Sequence, residues 1–202
     1  MPLTRQWRAK FRDFQHFRLV TGVTLALGVL LAVYALGPRA WSALRYERAA
    51  IAAGEWWRLV TGHLVHEDPR HLALNAGGLV LLAILYARDA RPREWALVAL
   101  ASALGVSLGL YAAEPGLAWY VGLSGVLHGL WAAGGLAARS RWPLESWVTL
   151  ALLAAKLLIE HWHGPLTQEL GGGLMVITAA HRFGAVSGLA AALALGLGRR
   201  SL

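Results

Sequence analysis

Six apolar stretches, at residues 19–36, 72–87, 94–113, 121–138, 144–161 and 178–197, run through this chain, and only the first connection between them is long. Each approaches the roughly 20 residues that a helix needs to cross a bilayer. Lipid offers the backbone no hydrogen-bond partner, so runs this long and apolar must satisfy their own N–H and C=O groups as helices. The expectation is an all-α polytopic membrane protein. A six-helix bundle over residues 19–198 would follow a cytoplasmic N-terminal segment at 1–18.

Composition excludes several alternatives. Hydrophobic residues make up 57% of the chain and charged residues 15%, a balance too apolar for a soluble domain. There is no cysteine, so disulfides, a cysteine nucleophile and a thiolate metal site are all ruled out. The net charge of +8 reads as basic loops against anionic lipid rather than as a nucleic-acid surface. Basic residues precede the first apolar stretch, but no small-residue cleavage site follows it, so the first span is expected to stay in place.

Arginine placement orients the bundle. Arg5, Arg8, Lys10, Arg12 and Arg18 precede the first stretch; Arg88, Arg91 and Arg93 separate the second and third; Arg139 and Arg141 separate the fourth and fifth; Arg199 and Arg200 end the chain. The connections at 114–120 and 162–177 contain no Lys or Arg. By the positive-inside rule both termini are cytoplasmic. The first loop, 37–71, departs from the pattern with five arginines, which Glu47, Glu55, Glu67 and Asp68 accompany. Trp41, Trp56 and Trp57 suggest that this loop lies in the outer interface.

In this topology three polar features fall at one depth, just below the outer surface. His71 and Asn75 open the second stretch, Ser124 opens the fourth, and His181 lies near the start of the sixth. Polar groups inside a span are functional hypotheses by default. A serine hydroxyl needs a base to become a nucleophile, and histidine suits that task near neutral pH. Both His128 and His181 are candidates; His181 is assigned the role because it comes from another helix and can address the hydroxyl from a side open to substrate. Gly125 and Gly129 follow Ser124, and Gly184 and Gly188 follow His181. Such small-residue faces let membrane helices approach closely.

An acyl-transfer site also needs donors for a developing oxyanion. The start of the fourth helix offers backbone N–H groups without intrahelical acceptors, and His71 and Asn75, four apart, share a helix face. No carboxylate is spaced to complete a triad, so a Ser124–His181 dyad is expected. Lys156 and Glu160, at i and i+4 in the fifth stretch, read as a buried ion pair rather than as catalytic groups. His161, His163 and the run Gly171-Gly172-Gly173 lie in the last outer loop, where a gate is one reading and a plain mobile loop the other.

Two rivals share these residues. His63, His66, His71, His161 and His163, with Glu67 and Asp68, could form an outer zinc site, although no HExxH motif is present. A non-enzymatic binder of membrane clients is the second rival, and retention of both Ser124 and His181 argues against it.

Gly54-Glu55-Trp56-Trp57-Arg58-Leu59-Val60-Thr61-Gly62-His63, then His71 to Asn75, then Gly122-Leu123-Ser124-Gly125, then His181 with Gly184 and Gly188, resemble the rhomboid family of intramembrane serine proteases, in family order from about residue 50 to 195. The resemblance implies a six-helix bundle in a bacterial inner membrane, with its site open to the periplasm and no cofactor or metal. It implies Ser124 as nucleophile, His181 as base, and His71, Asn75 and the Leu123 and Ser124 amides as the oxyanion site, with Gly122 supporting. Many rhomboids carry a tyrosine four residues after the nucleophile, stacked on the base; this chain has His128 there. With Leu127, Gly129, Lys156 and Glu160, that departure resembles the rhombosortase branch. Rhombosortases are associated with exported substrates carrying a C-terminal anchor: a Gly-Gly stretch, an apolar helix and a basic tail.

Overall fold

Proline occupies the first turn of four helices, where its missing N–H has no intrahelical partner to lose. These are α2 (Pro38–Leu44), α5 (Pro69–Tyr86), α6 (Pro92–Ala113) and α8 (Pro143–His163). In the computed structural model, which describes residues 5–165 and 176–199 with side chains from residue 20, the remaining α-helices are α1 (Arg5–Ala35), α3 (Arg48–Ala52), α4 (Arg58–Thr61), α7 (Ser124–Ala138) and α9 (Thr178–Ala194). The described chain is all-α apart from one two-residue strand pair. The Asp68 carboxylate caps α5, accepting from the Arg70 N–H at 2.8 Å and the His71 N–H at 3.1 Å. Glu94 reaches back to the Arg91 N–H at the start of α6.

α7 is the centre of the bundle and packs against α5, α6, α8 and α9. It is apolar on all sides, as a helix enclosed by other helices must be, and most of its residues are buried. Glycine sets its distance from α9. A Cβ on Gly184 would fall on the carbonyl oxygen of Gly125, and one on Gly188 would fall on the backbone of Gly129. Between membrane helices this backbone-to-backbone fit replaces the hydrophobic drive of a soluble core. Below it, Val98, Ala133, Leu136, Ala137 and Ala192 form an apolar cluster. Above it, Val106, Leu110, Tyr120 and Ala180 pack with Tyr46 and Ile51 of the first loop.

Each apolar stretch of the sequence contains one long α-helix, and these helices differ in length and polarity. α5 and α6 are long and apolar enough to cross a membrane by length and composition alone. The Val20–Ala35 part of α1 and α2, which meet at a 116° bend, form a third candidate if taken as one span. α7 has 15 residues and α9 has 17, and α8 carries Glu145, Lys156 and Glu160. α1 runs unbroken from Arg5 to Ala35.

The first loop is built, not merely laid on the surface. β1 (Tyr46–Glu47) pairs antiparallel with β2 (Trp119–Tyr120), joining this loop to the segment that leads into α7. Arg48 donates to the carbonyls of Leu110, Tyr111, Glu114 and Leu117 and so satisfies the C-terminal end of α6. Arg58 is buried and donates to Glu55, Ser42 and Arg45. Arginines consumed in this way explain why the loop departs from the charge pattern of its neighbours. Trp56 and Trp57 are exposed.

Candidate active site

Ser124 is the first residue of α7 and His181 lies in the first turn of α9, so two helix starts set side by side put a hydroxyl against an imidazole. The His181 Nε2 stands 3.0 Å from the Ser124 Oγ. On its other edge, the His181 Nδ1 stands 2.8 Å from the Glu160 Oε2. A carboxylate can only accept, so Nδ1 carries the proton and Nε2 is free to accept from the serine hydroxyl. The second carboxylate oxygen, Oε1, accepts from the Lys156 Nζ at 2.5 Å.

The Glu160 contact lies outside the expected Ser124–His181 dyad. The sequence offered no carboxylate to complete the Ser124–His181 pair, because Glu160 has a local partner in Lys156 one turn earlier. α8 carries Glu160 to the far side of the His181 ring, and its side chain is buried there.

The His128 ring stacks on His181, with centroids 4.0 Å apart and planes at 13°. The His128 Nδ1–H donates to the Ser124 carbonyl at 2.7 Å, leaving its buried Nε2 without a partner. Among the described residues, His128, Glu160 and His181 are the group whose ligand atoms lie close enough to share a metal ion. Both nitrogens of His181 and the Nδ1 of His128 already have protein partners there: Glu160, the Ser124 hydroxyl and the Ser124 carbonyl. The zinc rival's set is not assembled: the His63 Nε2–H donates to the Ala103 carbonyl, His66 bonds Leu64 and Asn75, and His161 meets Arg182.

The opposite wall comes from α5. The Asn75 amide donates to the His66 Nε2 at 3.0 Å, while the His66 Nδ1–H donates to the Leu64 carbonyl at 3.2 Å. His66 therefore fixes the orientation of Asn75, a role that sequence reasoning missed, although the spacing of His66, His71 and Asn75 offered a signal. Burial pulls the imidazoles of His63 and His66 from 6.5 down to about 4, which keeps both neutral. The His71 ring leans on Gly122: φ there is +111°, and a Cβ would stand 2.6 Å from the His71 Nε2. Only glycine fits both conditions. The Gly122 N–H donates to the Gly62 carbonyl, and its own carbonyl accepts from the Tyr120 hydroxyl at 2.9 Å. This pinned turn presents Leu123 and the first N–H groups of α7, which have no intrahelical acceptor.

His71, Asn75, Ser124, His128, Lys156, Glu160 and His181 all line one cavity of about 390 Å³, with Glu67, Asp68, Trp119, Tyr120, Val176 and Ile177. The glycine run 171–173 lies outside the described residues, whereas His161 and His163 close α8. A nucleophile, a base with its second nitrogen held, and donors on two further walls form an arrangement able to add a hydroxyl to a carbonyl.

Comparison with known proteins points the same way. The chain is 36% identical over 80 residues to "Putative rhomboid protease YdcA" of Bacillus subtilis (strain 168), an alignment that spans 40% of each chain. A family model, the rhomboid domain, matches residues 53–198. That match takes in α5 to α9 and every residue of the cavity, and the chain belongs to the rhomboid family.

Proposed function

We propose that this chain is an intramembrane serine endopeptidase that cleaves single-span membrane proteins near the outer membrane boundary. The observation that carries this reading is the 3.0 Å contact between the Ser124 Oγ and the His181 Nε2 inside a cavity within the bundle. His181 takes the hydroxyl proton as the Ser124 Oγ attacks the scissile carbonyl, and returns it to the departing amine. The Leu123 and Ser124 amides, with His71 and Asn75, receive the negative charge on the carbonyl oxygen; one such donor contributes roughly 3 kcal/mol. Gly125, Gly129, Gly184 and Gly188 hold these groups at backbone contact, and Gly122 makes room for the His71 ring.

In this reading six helices span a bacterial inner membrane. Both termini lie in the cytoplasm, the segment 1–18 is cytoplasmic, and the cavity opens to the periplasm. Exposed Trp56 and Trp57 on the cavity side and Trp142 at the opposite end of α7 support that placement, since tryptophan favours both interfaces.

Within the family, the rhombosortase branch fits best. His128 takes the stacking position beside the base, and Lys156 and Glu160 stand at the same site. The substrate would be an exported protein held by a Gly-Gly stretch, an apolar helix and a basic tail. Each Gly lowers helix stability by roughly 1 kcal/mol relative to Ala, so Gly-Gly frays the anchor where Ser124 must reach its backbone. The reading is tested by labelling the reconstituted protein with a fluorophosphonate and then offering it matched substrates with Gly-Gly or Leu-Leu. Labelling of wild type but not of Ser124→Ala, with cleavage of the Gly-Gly substrate, is expected. Equal cleavage of both substrates would leave a protease of broader specificity.

A further inference from the structure

Glu160 makes one bond with each carboxylate oxygen, and the two partners differ in kind. Oε1 meets the Lys156 Nζ at 2.5 Å, one turn away on its own helix. Oε2 meets the His181 Nδ1 at 2.8 Å across a helix boundary, on the edge of the ring opposite Ser124. We infer that Glu160 is the third member of a Ser124–His181–Glu160 relay, a positioning residue that fixes the His181 tautomer and balances its charge, with Lys156 holding the carboxylate in register. This inference rests on the serine protease reading above and deepens it.

The geometry supports a directed role for the carboxylate. The side chains of Glu160 and His181 are both almost fully buried, and a low local dielectric strengthens their hydrogen bond. With Nδ1–H committed to Glu160, Nε2 is the acceptor that Ser124 needs; the other tautomer would present an N–H to the hydroxyl. The His128 ring covers one face of His181 at 4.0 Å and blocks rotation out of line.

The step balances without a further reactant. The Ser124 proton passes to the His181 Nε2, the Oγ–carbon bond forms, and the carbonyl electron pair moves to its oxygen. The imidazolium then lies between Glu160 and the oxyanion, and Nδ1 keeps its proton throughout. Collapse of the adduct breaks the carbon–nitrogen bond, and the leaving amine takes the proton from Nε2. A buried ion pair serving architecture alone would need Glu160 and Lys156 equally. The relay needs Glu160 far more, because only the carboxylate touches His181.

The test measures kcat and KM on one transmembrane substrate, the rate of fluorophosphonate labelling, and thermal unfolding for wild type, E160Q, E160D and K156M in the same lipid. E160Q should lose roughly 100-fold to 10,000-fold in kcat with KM within about twofold, the loss typical of a triad whose acid is replaced by its amide. E160D should recover part of that loss, and K156M should fall by less than about 10-fold. Should E160Q not fold, E160D decides: lost kcat at kept KM supports the relay, and wild-type kcat overturns it. Wild-type kcat in E160Q, or equal losses in E160Q and K156M, would likewise overturn it. Wild type that is neither labelled nor active removes the protease reading itself, a different result from labelled wild type beside a fully active E160Q.

Discussion

His128 and His181 lie face to face, 4.0 Å between ring centroids and 13° between planes, although they come from different helices. His128 donates through Nδ1 to the carbonyl of Ser124 on its own helix and makes no hydrogen bond with the serine hydroxyl. In the proposed mechanism it serves as a wall for the base His181. A flat ring is what the position requires, so His128→Tyr should keep kcat within roughly 10-fold of wild type, while His128→Ala should lose more by freeing His181 to rotate. Parallel turnover assays decide; a dead His128→Tyr beside an active His181→Ala would exchange their roles.

The link between His66 and Asn75 predicts an effect at a distance from the reacting atoms. Asn75→Ala should lower kcat by roughly 10-fold to 1000-fold with little change in KM, because its donor acts in the transition state. His66→Ala should follow the same pattern more weakly, since the Asn75 amide then loses the acceptor that aims it. Steady-state kinetics separate the cases: a KM effect alone would assign Asn75 to substrate binding.

Linkage gives a pH window for stability. The folded-state imidazoles of His63 and His66 lie at about 4, against 6.5 for an ordinary histidine. Between these limits the unfolded chain binds protons that the folded chain refuses, so stability falls as pH drops through the window and this contribution levels off below about 4. Unfolding in mild detergent, followed from pH 8 to pH 4, should show the decline. His66→Gln should make it shallower; an unchanged slope in that variant would remove His66 from the account.

The chain's lack of cysteine makes its topology directly readable. Gly116→Cys lies in the exposed connection before α7, and Ser140→Cys in the exposed connection after it. In intact inverted and right-side-out vesicles, a membrane-impermeant maleimide should reach residue 116 only from the periplasmic side and residue 140 only from the cytoplasmic side. The reverse pattern would invert the proposed orientation.

Much of the site could be read from the sequence because a polar residue at the head of an apolar run stands out. Ser124, His181, His71 and Asn75 are such residues, and the glycines after Ser124 and His181 marked two faces that meet at backbone contact. Glu160 could not be read the same way. Its i+4 neighbour Lys156 offers a sufficient local explanation, and only the packing of α8 beside α9 reveals its second bond. The spacing of His66 to Asn75 was a weak signal, because His66 lies in a loop, where histidines are common. The first-loop arginines were visible as an exception to the charge rule, but the targets of Arg48, the last carbonyls of α6, lie more than sixty residues away. Span number is the least legible feature, since a central helix of 15 residues and a helix carrying Lys156 and Glu160 both blur the hydropathy signal.

The central claim is that Ser124 and His181 act together on a peptide bond in a membrane-embedded substrate. Its most direct test is cleavage of a purified single-span Gly-Gly substrate co-reconstituted with wild type, Ser124→Ala or His181→Ala, with product mapped by mass spectrometry and folding checked by circular dichroism. Wild type should release a fragment cut at the anchor's outer boundary, and both variants should be folded and inactive. Turnover by Ser124→Ala equal to wild type would contradict the account.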